Sequence, residues 1–459
     1  MVFSSLVFLF RFLPITFLIY YLAPKKVKNL VLLIASLVFY SWGEARYFPI
    51  MLASILVNYV TGLLMERFES RKPVRRVCLV VSLIMTLGVL LFFKYTNFFL
   101  GNINTLFGTS IPLLSGLTLP LGVSFYTFQI MAYTIDVYRG KVKAEHNFID
   151  FGAFVVLFPQ LIAGPIVLYS DINKELKSRT ITLAQVEDGI RLLIMGIASK
   201  ILLADSISAL WNEVQTLGFK TVSTPLAWLG IIAYTFQIYF DFSGYSLMAI
   251  GLGRMLGFEF PQNFNYPYIS RSITEFWRRW HITLSSWFRD YVYIPLGGNR
   301  VKPVRHFFNI FVVWFLTGFW HGANWNFIFW GLYYFVLLMI EKIFLLDKLQ
   351  KSRVISHVYV MVLVIIGWAL FALPDMSQLG ALLRQMFAFQ GGTDWLYYLR
   401  NYGVLLVLCT LCSTPLLKRC YEKWGHIKPL KVAFLAVVFA FSIAYMVGSS
   451  YSPFLYFNF

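Results

Sequence analysis

The sequence predicts an all-α polytopic membrane protein, with about 11–13 membrane-spanning helices plus re-entrant and in-plane helices around a central tunnel. Three observations lead there. Hydrophobic residues make up 59% of the chain and charged ones only 13%, against roughly 45–50% and about 25% in soluble domains. The apolar residues fall in runs near the ~20 residues a helix needs to cross a bilayer. The 39 Lys and Arg, against 21 Asp and Glu, gather in short clusters between those runs, which is the bias of cytoplasmic loops. No basic domain carries the excess charge, so no nucleic-acid partner is expected.

The expected spans, in order, are 4–23, 29–46, 49–65, 77–93, 111–138, 148–170, 188–204, 225–252, 307–320, 325–340, 354–373, 403–417 and 430–448. The first lacks a basic leader and a convincing small-residue cleavage site, so it reads as a retained span and not a signal peptide. No repeat divides the chain, and 1–459 is expected to be one domain. Loops 24–28, 66–76 and 139–143 are basic and alternate along the chain. Placing them inside puts the N-terminus outside. Segments 341–353 and 418–431 are also basic, so 430–459 reads as a last span followed by an extracytoplasmic tail. That tail, SSYSPFLYFNF, is aromatic and carries no charged side chain.

Two stretches are unsuited to lipid-facing helix. LPLGVSFYTFQ (119–129) and LFPQLIAGPIVLY (157–169) place Pro and Gly at membrane depth, where broken backbone persists only when buried in protein or lining a cavity. Segment 275–294 is aromatic but holds Glu275, Arg278, Arg279, Arg289 and Asp290. It reads as an in-plane element at the cytoplasmic interface, with Trp at headgroup level and Arg toward phosphates. Cys409 and Cys412 lie in an apolar run as small hydrophobes, and no disulfide framework is expected.

Of the six histidines, His146, His306 and His426 flank basic loops and read as solvated, and His357 starts a span. His321 differs. It sits near the turn of a hairpin, 307–340, whose ends are both basic. Fourteen helical residues from position 307 place it about 20 Å deep, where an ionisable side chain marks a candidate functional site. A neutral imidazole there suits a general base, and Asn324 is placed to orient a carbonyl or the imidazole. No His, Cys or carboxylate stands three or four residues from His321, and the hairpin interior has no Asp or Glu, so a metal is not expected. His281 lies in the charged in-plane element as an interfacial polar residue or a functional one. Arg278, Arg279 and Arg289 fit either a phosphorylated donor or lipid headgroups.

Three blocks carry a resemblance: FDFSGYSLMAIGLGRMLGFEFPQNFNYPY (240–268), ITEFWRRWHITLSSWFRDYVYIPLGGNR (273–300) and GFWHGANWNFIFWG (318–331). The chain resembles the membrane-bound O-acyltransferases, in the bacterial branch that O-acetylates alginate and peptidoglycan, next to the exporters of D-alanine for teichoic acid. The resemblance implies an acyl group passed across the cell's inner membrane, with His321 as the deep histidine and His281 as the second characteristic one. It implies cytoplasmic acetyl-CoA as donor, no permanently bound cofactor, and an extracytoplasmic serine-hydrolase-like partner acting in trans on a cell-envelope or secreted polysaccharide. The D-alanine system uses a small membrane protein whose aromatic C-terminus bears an acyl-accepting Tyr. Tyr456, in FLYFNF, matches that position, whereas Tyr451 lacks the aromatic frame.

A phenol has a pKa of about 10 and needs a base to attack a thioester; His321 is placed to act as one. Ten extended residues reach at most about 33–36 Å, enough for an outer tail to fold back into an outward cavity. Two alternatives remain within the class: transfer to a lipid or protein acceptor, and D-alanyl-type export. A transporter without covalent chemistry is disfavoured by the scarcity of embedded carboxylates (Asp241 is a rare case) and of an inverted repeat.

Overall fold

The computed structural model describes residues 2–423, 427–448 and 455. Among these the chain is helical and forms no strand. Seven helical stretches among the described residues are long and apolar enough to cross a membrane: Lys25–Arg67, Lys72–Phe107, Leu183–Leu217, Trp325–Leu349, Arg353–Ala372, Asp394–Cys412 and Lys428–Gly448. The protein is an integral membrane protein. The first stretch joins two expected spans through a tight turn at Ala45–Tyr47. Other expected spans form helices that are short, interrupted or rich in polar side chains. Thr224–Met255, for example, is a 32-residue helix in which Thr235, Asp241, Ser243 and Ser246 are buried in protein.

The chain divides into two compact units, Met1–Leu193 with Met248–Pro261, and Ile194–Leu247 with Gln262–Phe459. In the first, the two suspect stretches are indeed broken. The expected span 111–138 becomes helical only at Val123, after Gly122 at φ 72°. A Cβ on Gly122 would lie 2.6 Å from the Leu161 carbonyl oxygen, so the two breaks pack on each other. The expected span 148–170 splits into Phe148–Val156 and Phe158–Leu161. Every residue from 150 to 167 is buried, as irregular backbone at membrane depth requires. The Ser36 hydroxyl accepts from Phe158 N–H at 3.0 Å, which satisfies one freed donor.

The second unit is organised on a helical hairpin, Pro303–His321 and Trp325–Ile340, with Arg353–Ala372 against its second arm. The arms meet at glycines. A Cβ on Gly318 would strike the Phe327 carbonyl oxygen, and one on Gly331 the Trp314 carbonyl oxygen. Small residues at a helix crossing let backbones approach closely where lipid supplies no hydrophobic drive.

The expected in-plane element is not one amphipathic helix. It comprises Ile273–Arg279, Ile282–Phe288 and a π-helical turn, Arg289–Tyr293. Trp280 and Trp287 are buried in the unit, because the backbone break between the two short helices turns their rings inward. Glu341, beyond the hairpin, accepts from Ile273 N–H (2.5 Å), Thr274 N–H (2.9 Å) and the Thr274 hydroxyl (2.8 Å). This buried carboxylate ties the start of the first short helix to the end of the hairpin.

Candidate active site

His281 occupies the break between the two short helices, at φ 43° and ψ 54°. That left-handed conformation costs a non-glycine residue about 1–3 kcal/mol and persists only where surroundings enforce it. They do so from segment 263–265. The Asn263 carbonyl accepts from Ile282 N–H, and Asn265 N–H donates to the Arg279 carbonyl, both at 2.9 Å.

The Asn263 side chain decides the imidazole tautomer. Its Oδ1 accepts from the Thr283 hydroxyl at 2.9 Å and Thr283 N–H at 3.3 Å; an amide N–H only donates, so this atom is the amide oxygen. His281 Nδ1 lies 3.1 Å from the same oxygen and must therefore carry the proton. Nε2 is left with its lone pair and has no hydrogen-bond partner among the described residues. Burial pushes the His281 pKa down to about 3, so the ring is a neutral, oriented base near pH 7. The Phe242 ring stands edge-on to it, with centroids 4.6 Å apart.

His321 ends its helix and is buried. Three rings surround it: Trp330 at 5.0 Å, Trp320 at 5.1 Å and Phe371 at 5.2 Å between centroids. Trp320 also lies 6.2 Å from His281. Both histidines line one cavity of about 260 Å³, together with Trp277, Arg278, Ser285, Arg289, Trp314 and Thr317. The histidines are buried, while Arg278, Ser285 and Arg289 are exposed, so the cavity runs from a cationic mouth to an imidazole floor.

The other expected site residues divide. Arg278 and Arg289 line the cavity, Arg289 in a two-bond pair with Asp290 at 2.7 and 3.0 Å; Arg279 lies outside it, paired with Glu275 at 2.9 Å and bonded to the Asn265 carbonyl at 3.1 Å. Asn324 does not line the cavity. It is half-buried and precedes the second hairpin helix without a side-chain capping bond. The buried amide is Asn326, which donates to the Leu370 and Phe371 carbonyls, both at 3.2 Å, and so fixes the ring beside His321. His306 is buried and not solvated, with Nε2 2.9 Å from the Tyr293 hydroxyl, because its helix packs on the Arg289–Tyr293 turn. Tyr451, Tyr456 and His426 lie outside the described residues. Among the described residues no group of three His, Cys, Asp or Glu stands together as a metal site. Asn263 escaped the sequence reading although it lies in the quoted FPQNFNYPY block; its only signal was a polar residue amid aromatics.

Comparison with known proteins bears on this geometry. The chain is 39% identical to a "Probable alginate O-acetylase AlgI" of Pseudomonas putida, over the whole of both chains. The chain belongs to the membrane-bound O-acyltransferase family. The family profile itself matches residues 137–347, which include both cavity histidines. The membrane-bound O-acyltransferase of the same name from Azotobacter vinelandii is 44% identical over 86% of this chain and 79% of its own. A "Peptidoglycan O-acetyltransferase" of Helicobacter pylori is 31% identical over 100% of this chain and 98% of its own. This O-acyltransferase therefore has relatives named for the acetylation of two different polysaccharides.

Proposed function

We propose that the protein is a transmembrane O-acetyltransferase of the bacterial inner membrane, supplying acetyl groups for O-acetylation of a cell-envelope or secreted polysaccharide. The observation that carries this reading is the single cavity with His281 and His321 on its floor and Arg278 and Arg289 at its mouth. The exposed Arg278 guanidinium suits the phosphates of cytoplasmic acetyl-CoA, since Arg binds phosphate bidentately, and Arg289, paired with Asp290, stands beside it. The apolar, tryptophan-lined interior suits the acyl end of the donor.

In the first step the Tyr456 phenol attacks the thioester carbonyl. A C–O bond forms, the C–S bond breaks, His321 takes the phenol proton, and coenzyme A leaves as a thiolate that is then protonated. His281, held by Asn263 with its Nε2 lone pair free, accepts a hydrogen bond from the donor and orients it. The resulting aryl ester has a better leaving group than an alkyl ester. Passing acetyl from Tyr456 to the serine of an extracytoplasmic serine-hydrolase-like partner runs downhill, and the serine ester then delivers it to a sugar hydroxyl in a near-even exchange between alkyl esters. The tail would act on the extracytoplasmic side, where charge placement in the loops puts both termini.

The test is mass spectrometry of the C-terminal peptide after incubation with acetyl-CoA, alongside polymer acetylation in the presence of the partner. Acetyl on Tyr456, and loss of transfer in Tyr456→Phe, are expected. Full transfer by Tyr456→Phe would remove the carrier role and favour direct delivery to another acceptor. A folded His321→Ala variant that still transfers acetyl would remove the base assignment.

A further inference from the structure

Asp241 is an embedded carboxylate that the mechanism leaves unused. It is 1% exposed and lies in the middle of the Thr224–Met255 helix. Its Oδ1 pairs with Lys200 Nζ at 2.7 Å, and the same ammonium pairs with Asp205 at 2.6 Å. Two features of the backbone assemble this cluster. Residues 199–205 form a π-helical turn, whose wider i→i+5 spacing brings Lys200 and Asp205 onto one face. Gly244 lets the Asp241 helix lie close, since a Cβ there would sit 2.8 Å from the Gly196 carbonyl and 3.1 Å from Lys200 N.

The second oxygen of Asp241 faces the end of the chain. Leu455 N–H donates to Oδ2 at 2.8 Å, across 214 positions of sequence. The last helix, Lys428–Gly448, packs against the same Ser199–Asp205 turn. Asp241 also neighbours Phe242, whose ring abuts His281 at 4.6 Å.

We propose that the Lys200–Asp205–Asp241 cluster is the dock of the C-terminal tail, with Asp241 a positioning residue that holds the Leu455 peptide and sets where Tyr456 begins. The functional consequence rests on the carrier role of Tyr456 proposed above. Lys200 neutralises the carboxylate so that it can be buried, and Asp205 keeps Lys200 aimed. A buried carboxylate with one oxygen paired needs a donor for the other, and a peptide N–H supplies it whatever the side chain. Tyr456 follows by one peptide bond, with its Cα about 3.8 Å from that of Leu455, so fixing the Leu455 peptide confines the phenol while leaving its own rotamers free. The dock would thus hold the carrier's stem and not its reactive end.

The experiment uses full-length protein in detergent, treated with carboxypeptidase Y and followed by intact mass, with acetylation of the C-terminal peptide by acetyl-CoA measured in parallel. Leu455→Pro deletes the donor without touching the buried cluster; Leu455→Ala keeps it. Leu455→Pro should lose Phe459 about 10- to 100-fold faster than wild type, as expected for a hydrogen bond to a charged group, and acetylate more slowly by a similar factor. Leu455→Ala should match wild type in both, and Asp241→Asn should resemble Leu455→Pro if it folds. Equal digestion of Leu455→Pro and Leu455→Ala overturns the dock, as does an Asp241→Asn tail that is folded and protected like wild type. Tyr456→Phe separates the two ideas: it should abolish transfer while the tail stays protected. If it transfers normally the carrier role falls, and the dock is judged on protection alone.

Discussion

Lowering the pH tests how His281 is held. Burial sets its folded pKa at about 3, against about 6.5 in an unfolded chain. Between those values the unfolded state binds one proton that the folded state refuses, so stability falls as pH falls. The slope approaches about 1.4 kcal/mol per pH unit, and the loss from this group reaches about 4 kcal/mol by pH 3. Above pH 7 the contribution is complete and flat. His281→Asn is the reference variant: Asn tolerates the left-handed backbone, and its amide can donate to Asn263 Oδ1 as Nδ1–H does, but it does not titrate. Thermal unfolding in detergent, from pH 7.5 to 4, should show wild type losing stability relative to His281→Asn below pH 6.5, with parallel curves above. Parallel curves throughout would mean that the imidazole titrates alike in both states, and would refute its burial as a neutral base.

Three further outcomes follow from the site. Asn263→Ala should cost about 2–4 kcal/mol in thermal unfolding, because it strands Thr283 N–H and His281 Nδ1–H in a buried setting, while Asn263→Asp should raise the acid limb of the pH–rate profile by about 1–3 units by favouring imidazolium. Arg278→Ala should raise KM for acetyl-CoA about tenfold with kcat little changed, the mark of lost ground-state binding, whereas Arg279→Ala, whose side chain lies outside the cavity, should leave KM alone. Gly331→Val should lower stability by about 3 kcal/mol, since the added carbons meet the Trp314 carbonyl oxygen and force the hairpin apart; unchanged unfolding would show that the arms do not pack through their glycines.

Much of the architecture was legible because membrane helices announce themselves locally. Apolar runs, their lengths and the Lys and Arg between them are properties of neighbouring residues, and they located most of the helices, although Lys72–Phe107, Leu183–Leu217 and Asp394–Cys412 begin or end well outside the expected 77–93, 188–204 and 403–417. The breaks at 119–129 and 157–169 were legible for the same reason, since Pro and Gly act on their own backbone. His321 stood out because a histidine deep in an apolar hairpin is costly unless it is useful. The reading failed where partners lie far apart in sequence. Asn263 orients His281 from 18 positions away, and no local pattern marks that pairing. Asn324 was singled out for its proximity to His321, yet the helix that begins at Trp325 turns Asn326 inward and leaves Asn324 at the turn. His306 looked solvated from its basic neighbours, although the turn at Arg289–Tyr293 covers it.

The sequence by itself determined an all-helical membrane protein, the hairpin that carries His321, and the family motifs around both histidines, because solvation by lipid acts residue by residue. Tertiary structure alone decided which imidazole nitrogen carries the proton, which arginines face the cavity, and that Asp241 meets Lys200 and the Leu455 peptide. Each of those depends on directional contacts that exist only once the chain has folded.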